Sequence, residues 1–312
     1  MLVARNSADA VSDQAELLIA AALCPDWKAA RRLRNPRDGA LFRGKGKSDS
    51  FAQVETPRSI LITGASSGIG AALAERYAAP QTHLALCGRD AVRLAAVSER
   101  CRQRGATVLD ACLDVTDAAT VAAWIEAAEA AAPLDLVIAN AGIQGGLWRD
   151  GLGETRDELD RVMRVNFAGM CNTIYPALPA MRRRGRGQIA LVASLAALRG
   201  LPVSPGYCAS KAAVRIYGEA LRSWLAEEGV AVSIVLPGFV ETRLSRTVSG
   251  AKPFMMSPER AAAIICRGLA KGRRQIAFPF RLYLGMQLLR ALPAGAADRI
   301  LRRGRVDIRS YD

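Results

Sequence analysis

The chain has a single histidine, His83, among 312 residues. Metal or catalytic centres that need several histidines are therefore excluded within one chain. The seven cysteines, Cys24, Cys87, Cys101, Cys112, Cys171, Cys208 and Cys266, are scattered and include no C-x-x-C pair. Zinc-ribbon and thioredoxin-type motifs are thus absent, and no metal site is expected. An odd, irregularly spaced set reads as isolated small hydrophobes in a reducing compartment. Near the N-terminus the longest apolar run is Leu17 to Cys24, far short of the roughly 18 residues of a membrane helix. Asp9, Asp13 and Glu16 precede it, which does not fit a secretory or transit leader. A cytoplasmic protein is expected.

What is present points to a packed core. Hydrophobic residues make up 51% of the chain, too many for a disordered polypeptide, and Gly and Cys are too few for a collagen-like or disulfide-scaffold protein. The length suits one large α/β domain with extensions, or two small ones. The net charge of +14 is unevenly spread: residues 266–312 carry 11 basic and 3 acidic side chains, whereas 59–265 carry 22 and 19. The basic excess belongs mainly to the C-terminal tail, which argues against a nucleic-acid surface on the body of the protein.

Residues 1–55 read as a flexible extension. Glu16–Ala30 could form one short helix, and Arg31–Asp49, with Asn35-Pro36 and Asp38-Gly39, has the composition of a linker. From 58 onward short apolar runs alternate with helical patterns. The runs are 59–63, 83–87, 108–113, 134–139, 188–193, 230–236 and 275–278; the helices are 71–79, 91–104, 117–131, 155–183 (breaking near Pro176 and Pro179), 207–228 and 258–271. Near-continuous apolar strands alternating with helices predict a Rossmann-type, doubly wound parallel sheet of about seven strands, covered on both faces, over 56–280.

The first strand runs into Thr63-Gly64-Ala65-Ser66-Ser67-Gly68-Ile69-Gly70 and then into a helix. Glycines there permit a tight turn and close backbone approach, and the helix start offers N–H donors to a pyrophosphate. Gly64, Ser66, Ser67, Gly68, Ile69 and Gly70 are therefore candidate dinucleotide contacts. The second strand ends at Cys87-Gly88-Arg89-Asp90. An acidic residue at such a strand end would hold the ribose 2′-hydroxyl of NAD; Arg89 instead can pair with a 2′-phosphate. NADP(H) is expected over NAD(H), with Asp90 a complication unless it caps the next helix. Tyr207 and Lys211 are spaced i, i+4 on a predicted helix, and Ser194 follows the strand 188–193. An ammonium beside a phenol favours the phenolate, and Ser194 could bind a substrate carbonyl.

Taken in order, Thr63–Gly70, Asn140-Ala141-Gly142, Ser194, Tyr207-Cys208-Ala209-Ser210-Lys211 and Pro237-Gly238 resemble the classical short-chain dehydrogenase/reductase family over roughly 58–280. The resemblance implies that Asn166, Ser194, Tyr207 and Lys211 form a catalytic tetrad. It implies that Asn140, Ala141 and Gly142 border the cofactor, that Asp114 and Val115 touch the adenine, and that Pro237, Gly238, Val240 and Thr242 contact the nicotinamide side. It also implies hydride transfer to or from a ketone or secondary alcohol. Ser194 would orient the carbonyl, Tyr207 would transfer the proton, Lys211 would lower the tyrosine pKa and hold the ribose, and Asn166 would position a water leading to solvent. A homo-oligomer through the long helices is a further implication.

On the substrate side, 243–257 reads as a lid, with Ser257-Pro258-Glu259 starting the next helix. Phe254, Met255, Met256, Leu147 and Trp148 could line an apolar cleft or simply pack within the lid. The tail 281–312 is basic and amphipathic: it could contact an anionic membrane surface, cover the cleft, or pack on a second subunit. Other readings of the chain are a nucleotide sensor without turnover, a peripheral membrane protein, and an epimerase or dehydratase with a retained cofactor; Ser194 in the set argues against a pure binder.

Overall fold

The structure, a computed structural model, describes residues 56–145, 154–247 and 251–303. The extension 1–55, with its possible helix, and Leu147, Trp148 and 304–312 lie outside the described residues.

Seven strands form one sheet: β1 (Ser59–Thr63), β2 (His83–Gly88), β3 (Thr107–Cys112), β4 (Leu136–Ala139), β5 (Gly187–Val192), β6 (Val230–Pro237) and β7 (Gln275–Phe278). All pairings are parallel, in the order β3-β2-β1-β4-β5-β6-β7. The seven predicted strands are therefore present, each within a residue or two of its expected bounds. The helices are α1 (Gly68–Tyr77), α2 (Ala91–Gln103), α3 (Ala118–Ala131), α4 (Arg156–Met163), α5 (Gly169–Ile174), α6 (Leu178–Arg184), α7 (Pro205–Leu225), α8 (Arg243–Arg246), α9 (Pro258–Ala270), α10 (Phe280–Ala291) and α11 (Ala294–Arg303).

The continuous apolar runs follow from burial on both faces. Successive strand side chains point to opposite sides. Leu61, Val137, Ile189 and Leu191 enter one core with Val121, Ile125, Ile174, Val214 and Leu221 of α3, α5 and α7. Ile60, Ile62, Leu136 and Ile138 enter the other with Leu73, Leu94, Ile265 and Leu269 of α1, α2 and α9. The edge strand β3 is less covered, and its Leu109 is exposed. His83 is exposed at the start of β2. None of the described helices is long and apolar enough to cross a membrane.

Side-chain caps mark several helix starts. Asp90, Asp117, Thr155 and Ser257 each accept a hydrogen bond from the backbone N–H three residues on. The 155–183 helix breaks near Pro176, as expected, and is also interrupted earlier. After α4 comes a π-helical turn, Arg164–Ala168, and the chain breaks between α5 and α6. Pro176 lies in that break, where a missing N–H and a fixed φ oppose helix continuation. The tail also folds into helices. Met286 of α10 enters the first core with Leu282, Tyr283 and Leu289 packed beside it. Leu292 is extended ahead of Pro293, as the residue before a proline tends to be, and so ends α10.

Leu61→Ala should lower stability by about 2–5 kcal/mol, since a fully buried leucine leaves a cavity between packed layers. Val92→Ala, at an exposed site, should change it by less than about 0.5 kcal/mol. Urea denaturation midpoints of the two variants check this.

Candidate active site

The sheet order reverses direction at the junction of β1 and β4, and a crevice opens at their carboxyl ends, where doubly wound sheets bind ligands. Hydrogen bonds tie the two strand ends together. Thr63 Oγ1 accepts from Asn140 N (3.1 Å) and Ala141 N (3.2 Å), and Asn140 Nδ2 donates to Thr63 O (2.9 Å) and Gly64 O (3.3 Å). Gly64 (φ +68°) and Gly68 (φ +56°) adopt the left-handed conformation that favours glycine. A Cβ at Gly64 would lie 2.9 Å from Ala141 Cα, and one at Gly70 would collide with the Gly64 carbonyl. Ser67 at the start of α1 makes no side-chain cap, so the first N–H groups of the helix are left to the crevice. This cradle suits a dinucleotide pyrophosphate.

Beyond it, Gly88 allows β2 to close on the turn: a Cβ there would lie 2.9 Å from Ser66 Cβ. Arg89 is exposed, its Nη1 3.7 Å from Asp114 Oδ2. Asp90 caps α2 through Arg93 N (2.9 Å) and pairs with Arg93 Nη1 (2.8 Å), so its carboxylate is engaged within its own turn. Val115 is buried, and Gly169 leaves it room: a Cβ at Gly169 would press on its Cγ2.

Ser194, just past β5, begins a short 3₁₀ turn (Leu195–Ala197) and accepts from Ala196 N at 3.1 Å. Tyr207 and Lys211 lie one turn apart on α7, with Lys211 Nζ 6.0 Å from the Tyr207 ring centre. Lys211 is buried and donates to Val192 O at 2.9 Å. Asn166 sits in the π-helical turn, also buried. Its Nδ2 donates to Ile143 O (3.0 Å) and Ser210 Oγ (2.9 Å), and its Oδ1 accepts from Ile143 N (2.7 Å). Gly142 separates Asn166 from Lys211: a Cβ there would lie 3.2 Å from both Asn166 Oδ1 and Lys211 Nζ.

Burial acts on both members of the Tyr207/Lys211 pair. Burial pushes the Tyr207 phenol up to about 12, against an opposing hydrogen bond to Ser194, and burial takes Lys211 down to about 8. Desolvation disfavours both charged forms.

These groups converge on one crevice of 1410 Å³. The turn residues Gly64, Ser66, Ser67, Gly68 and Ile69 line it, as do Arg89, Asp114 and Val115. So do Asn140, Ala141 and Gly142; Ser194, Tyr207 and Lys211; and Pro237, Gly238, Val240 and Thr242. Gly70 and Asn166 support the wall from behind. The expected apolar lining is corrected in part. Phe254 and Met255 are exposed, and Met256 is buried in the second core, bridged to Val240. None of the three lines the crevice. Apolar lining comes instead from Leu195 and Leu201, from Leu244 and Pro253 of the lid segment, and from the tail residues Leu282, Met286, Ile300 and Leu301. Leu282 roofs the crevice closely, for a Cβ at Gly238 would lie 2.9 Å from its Cδ2. Sequence reasoning did not find the Val192 carbonyl, Ser210 or Arg93. Their only sequence signal is proximity to motif residues.

A parallel sheet with a glycine cradle at its switch point, and a half-buried tyrosine and a buried lysine beside it, has the architecture of nicotinamide-dinucleotide enzymes. Residues 58–252 match the family model of short chain dehydrogenases. The chain belongs to the short-chain dehydrogenase/reductase family and is an NAD(P)-dependent enzyme. It is 35% identical over 247 residues to an uncharacterized oxidoreductase of Myxococcus xanthus, covering 79% of this chain and 97% of the relative. It is similar to a short chain dehydrogenase from Mycobacterium paratuberculosis bound to NAD (TM-score 0.63, 25% identity, 72% of this chain and 97% of that one). A short-chain dehydrogenase from Sphingobium yanoikuyae in complex with NADPH is equally similar (TM-score 0.63, 26% identity, 79% and 96%).

The depressed Lys211 pKa has a signed consequence for the unliganded protein. Between about pH 8 and the ordinary lysine value of 10.5 the unfolded chain binds more protons than the folded one. Wild-type stability should therefore rise with pH relative to Lys211→Met, by up to about 3 kcal/mol across that window, and be level below about pH 8. Denaturation of both proteins between about pH 7 and 10.5 measures the difference, Tyr207 being common to both.

Proposed function

We propose that the protein is an NADP(H)-dependent oxidoreductase that interconverts a ketone and a secondary alcohol. The observation that carries this reading is the convergence of Ser194, Tyr207 and Lys211 on the crevice that also contains the glycine cradle. Bound nicotinamide supplies or accepts the hydride. In the reducing direction Ser194 orients the substrate carbonyl oxygen by hydrogen bonding. The Tyr207 hydroxyl donates its proton to that oxygen as the carbonyl carbon gains the hydride, and the product is the alcohol. Lys211, anchored by the Val192 carbonyl, stabilises the phenolate left behind when it is protonated, and it holds the nicotinamide ribose. Asn166 is a positioning residue: its bonds to Ile143 and Ser210 fix the floor beside Lys211.

The preference for the phosphorylated cofactor rests on Arg89. Its guanidinium stands at the end of β2, where Asp90 is engaged by the α2 cap and Arg93. Arg93 also lines the crevice there, paired with Asp90. A homo-oligomer would use the outer face of α5 and α7, where Tyr175, Ile216 and Trp224 are exposed.

Fluorescence titration should give clearly tighter binding of NADPH than NADH, and Arg89→Gln should weaken NADPH about tenfold while sparing NADH. An unchanged NADPH affinity would remove the Arg89 argument. Tyr207→Phe should lower turnover about 10²–10⁴-fold with nucleotide affinity retained. Full activity in that variant, measured by NADPH oxidation with a reactive ketone, would refute the role of Tyr207.

A further inference from the structure

A second cavity, of 840 Å³, lies between the segment 196–212 and the two C-terminal helices. Ala196, Leu201, Pro202, Leu301 and Arg302 line both cavities, so the second continues the first. Its wall on the α7 side includes Cys208 and Ala209, directly after Tyr207. The lining is chiefly apolar, but its charged members are three arginines, Arg199, Arg290 and Arg302, and one acid, Asp298. Asp298 is engaged by Arg199 at 2.6 Å. Arg290 and Arg302 have no acidic partner among the described residues.

An apolar trough that continues a reaction cleft and carries at its exposed rim two guanidinium groups with no acidic partner among the described residues is complementary to an amphiphile with an acid group on its chain. Guanidinium groups bind carboxylate and phosphate through paired N–H donors. Neither group alone explains the combination: a wholly apolar substrate would leave the arginines to water, and a small anion would not need the trough. The geometry points to this cavity as a distal substrate subsite, taking the apolar chain and terminal carboxylate or phosphate of a carbonyl compound whose reacting carbon sits at Tyr207. The inference rests on the oxidoreductase reading for the word substrate, and on the shared lining and charge for the site itself. Arg290 and Arg302 are specificity residues in it.

Ligand-detected NMR titrations of the full chain, with and without saturating NADPH, test this with octanoate, octyl phosphate, 1-octanol and acetate. Octanoate or octyl phosphate should bind about tenfold more tightly than 1-octanol, and acetate more weakly than any of them. Whichever anion binds better identifies the head group. Combined Arg290→Gln and Arg302→Gln substitution should erase the anion advantage while 1-octanol still binds, and Arg302→Lys should keep part of it. Equal binding of octanoate and 1-octanol, or an anion advantage that survives the double substitution, overturns the proposal. Thermal unfolding of each variant separates loss of the site from loss of the fold. NADPH titration of the same samples keeps the two readings apart. Anion binding without nucleotide binding would sink the oxidoreductase reading alone, and nucleotide binding without an anion preference would sink the subsite alone.

Discussion

The bonding of Asn140 to the end of β1 is the constraint on which the rest of the site depends. One side chain and one hydroxyl, Asn140 and Thr63, make four hydrogen bonds across the junction where the sheet changes direction. Buried polar groups need such partners, and here the partners also fix how far the two strand ends stand apart. Gly64 and Gly70 close the turn so tightly that no Cβ fits at either position. The α1 N-terminus is therefore held at the crevice by packing, before any ligand arrives.

Desolvation sets the chemistry on the other side of the crevice. Lys211 is placed almost out of water with a single backbone carbonyl for company, and Tyr207 stands beside it. Burying a cationic group with so little compensation is unfavourable. It persists because α7 is long and anchored by Val214, Leu221 and Leu225 in the first core. A carbonyl oxygen, a ribose hydroxyl or a negative charge in the crevice would meet donors already oriented, so little reorganisation is left for the reaction itself.

The C-terminal helices belong to the same arrangement. α10 enters the first core with Met286 and touches the crevice with Leu282, while its other face leaves Phe280, Leu284 and Leu288 exposed. A helix that is both core and cavity wall is held in place by the fold, and its outward apolar residues are then a consequence of using the opposite face. The excess of arginine in this part of the chain comes to lie partly along the trough.

Strand and helix order, the parallel sheet and the glycine turn were legible in the sequence. They rest on local rules: continuous apolar runs for strands buried on both faces, and glycine where the turn needs φ > 0. Ser194, Tyr207 and Lys211 could be named because each follows a recognisable strand or shares one helix face. Three things were out of reach. The break of the 155–183 helix into a π-helical turn depends on what Asn166 must reach, namely Ile143 and Ser210. The lid residues Phe254, Met255 and Met256 were assigned to the crevice by hydrophobicity, yet Met256 pairs with Val240 and is drawn into the core. The proton states of Tyr207 and Lys211 followed from burial, which spacing along a helix does not reveal. Sequence alone thus determined the frame and the candidate site residues, because these depend on neighbours in the chain. Tertiary structure alone decided their surroundings, their wall and the second cavity, because these depend on how the layers pack and how much water they exclude.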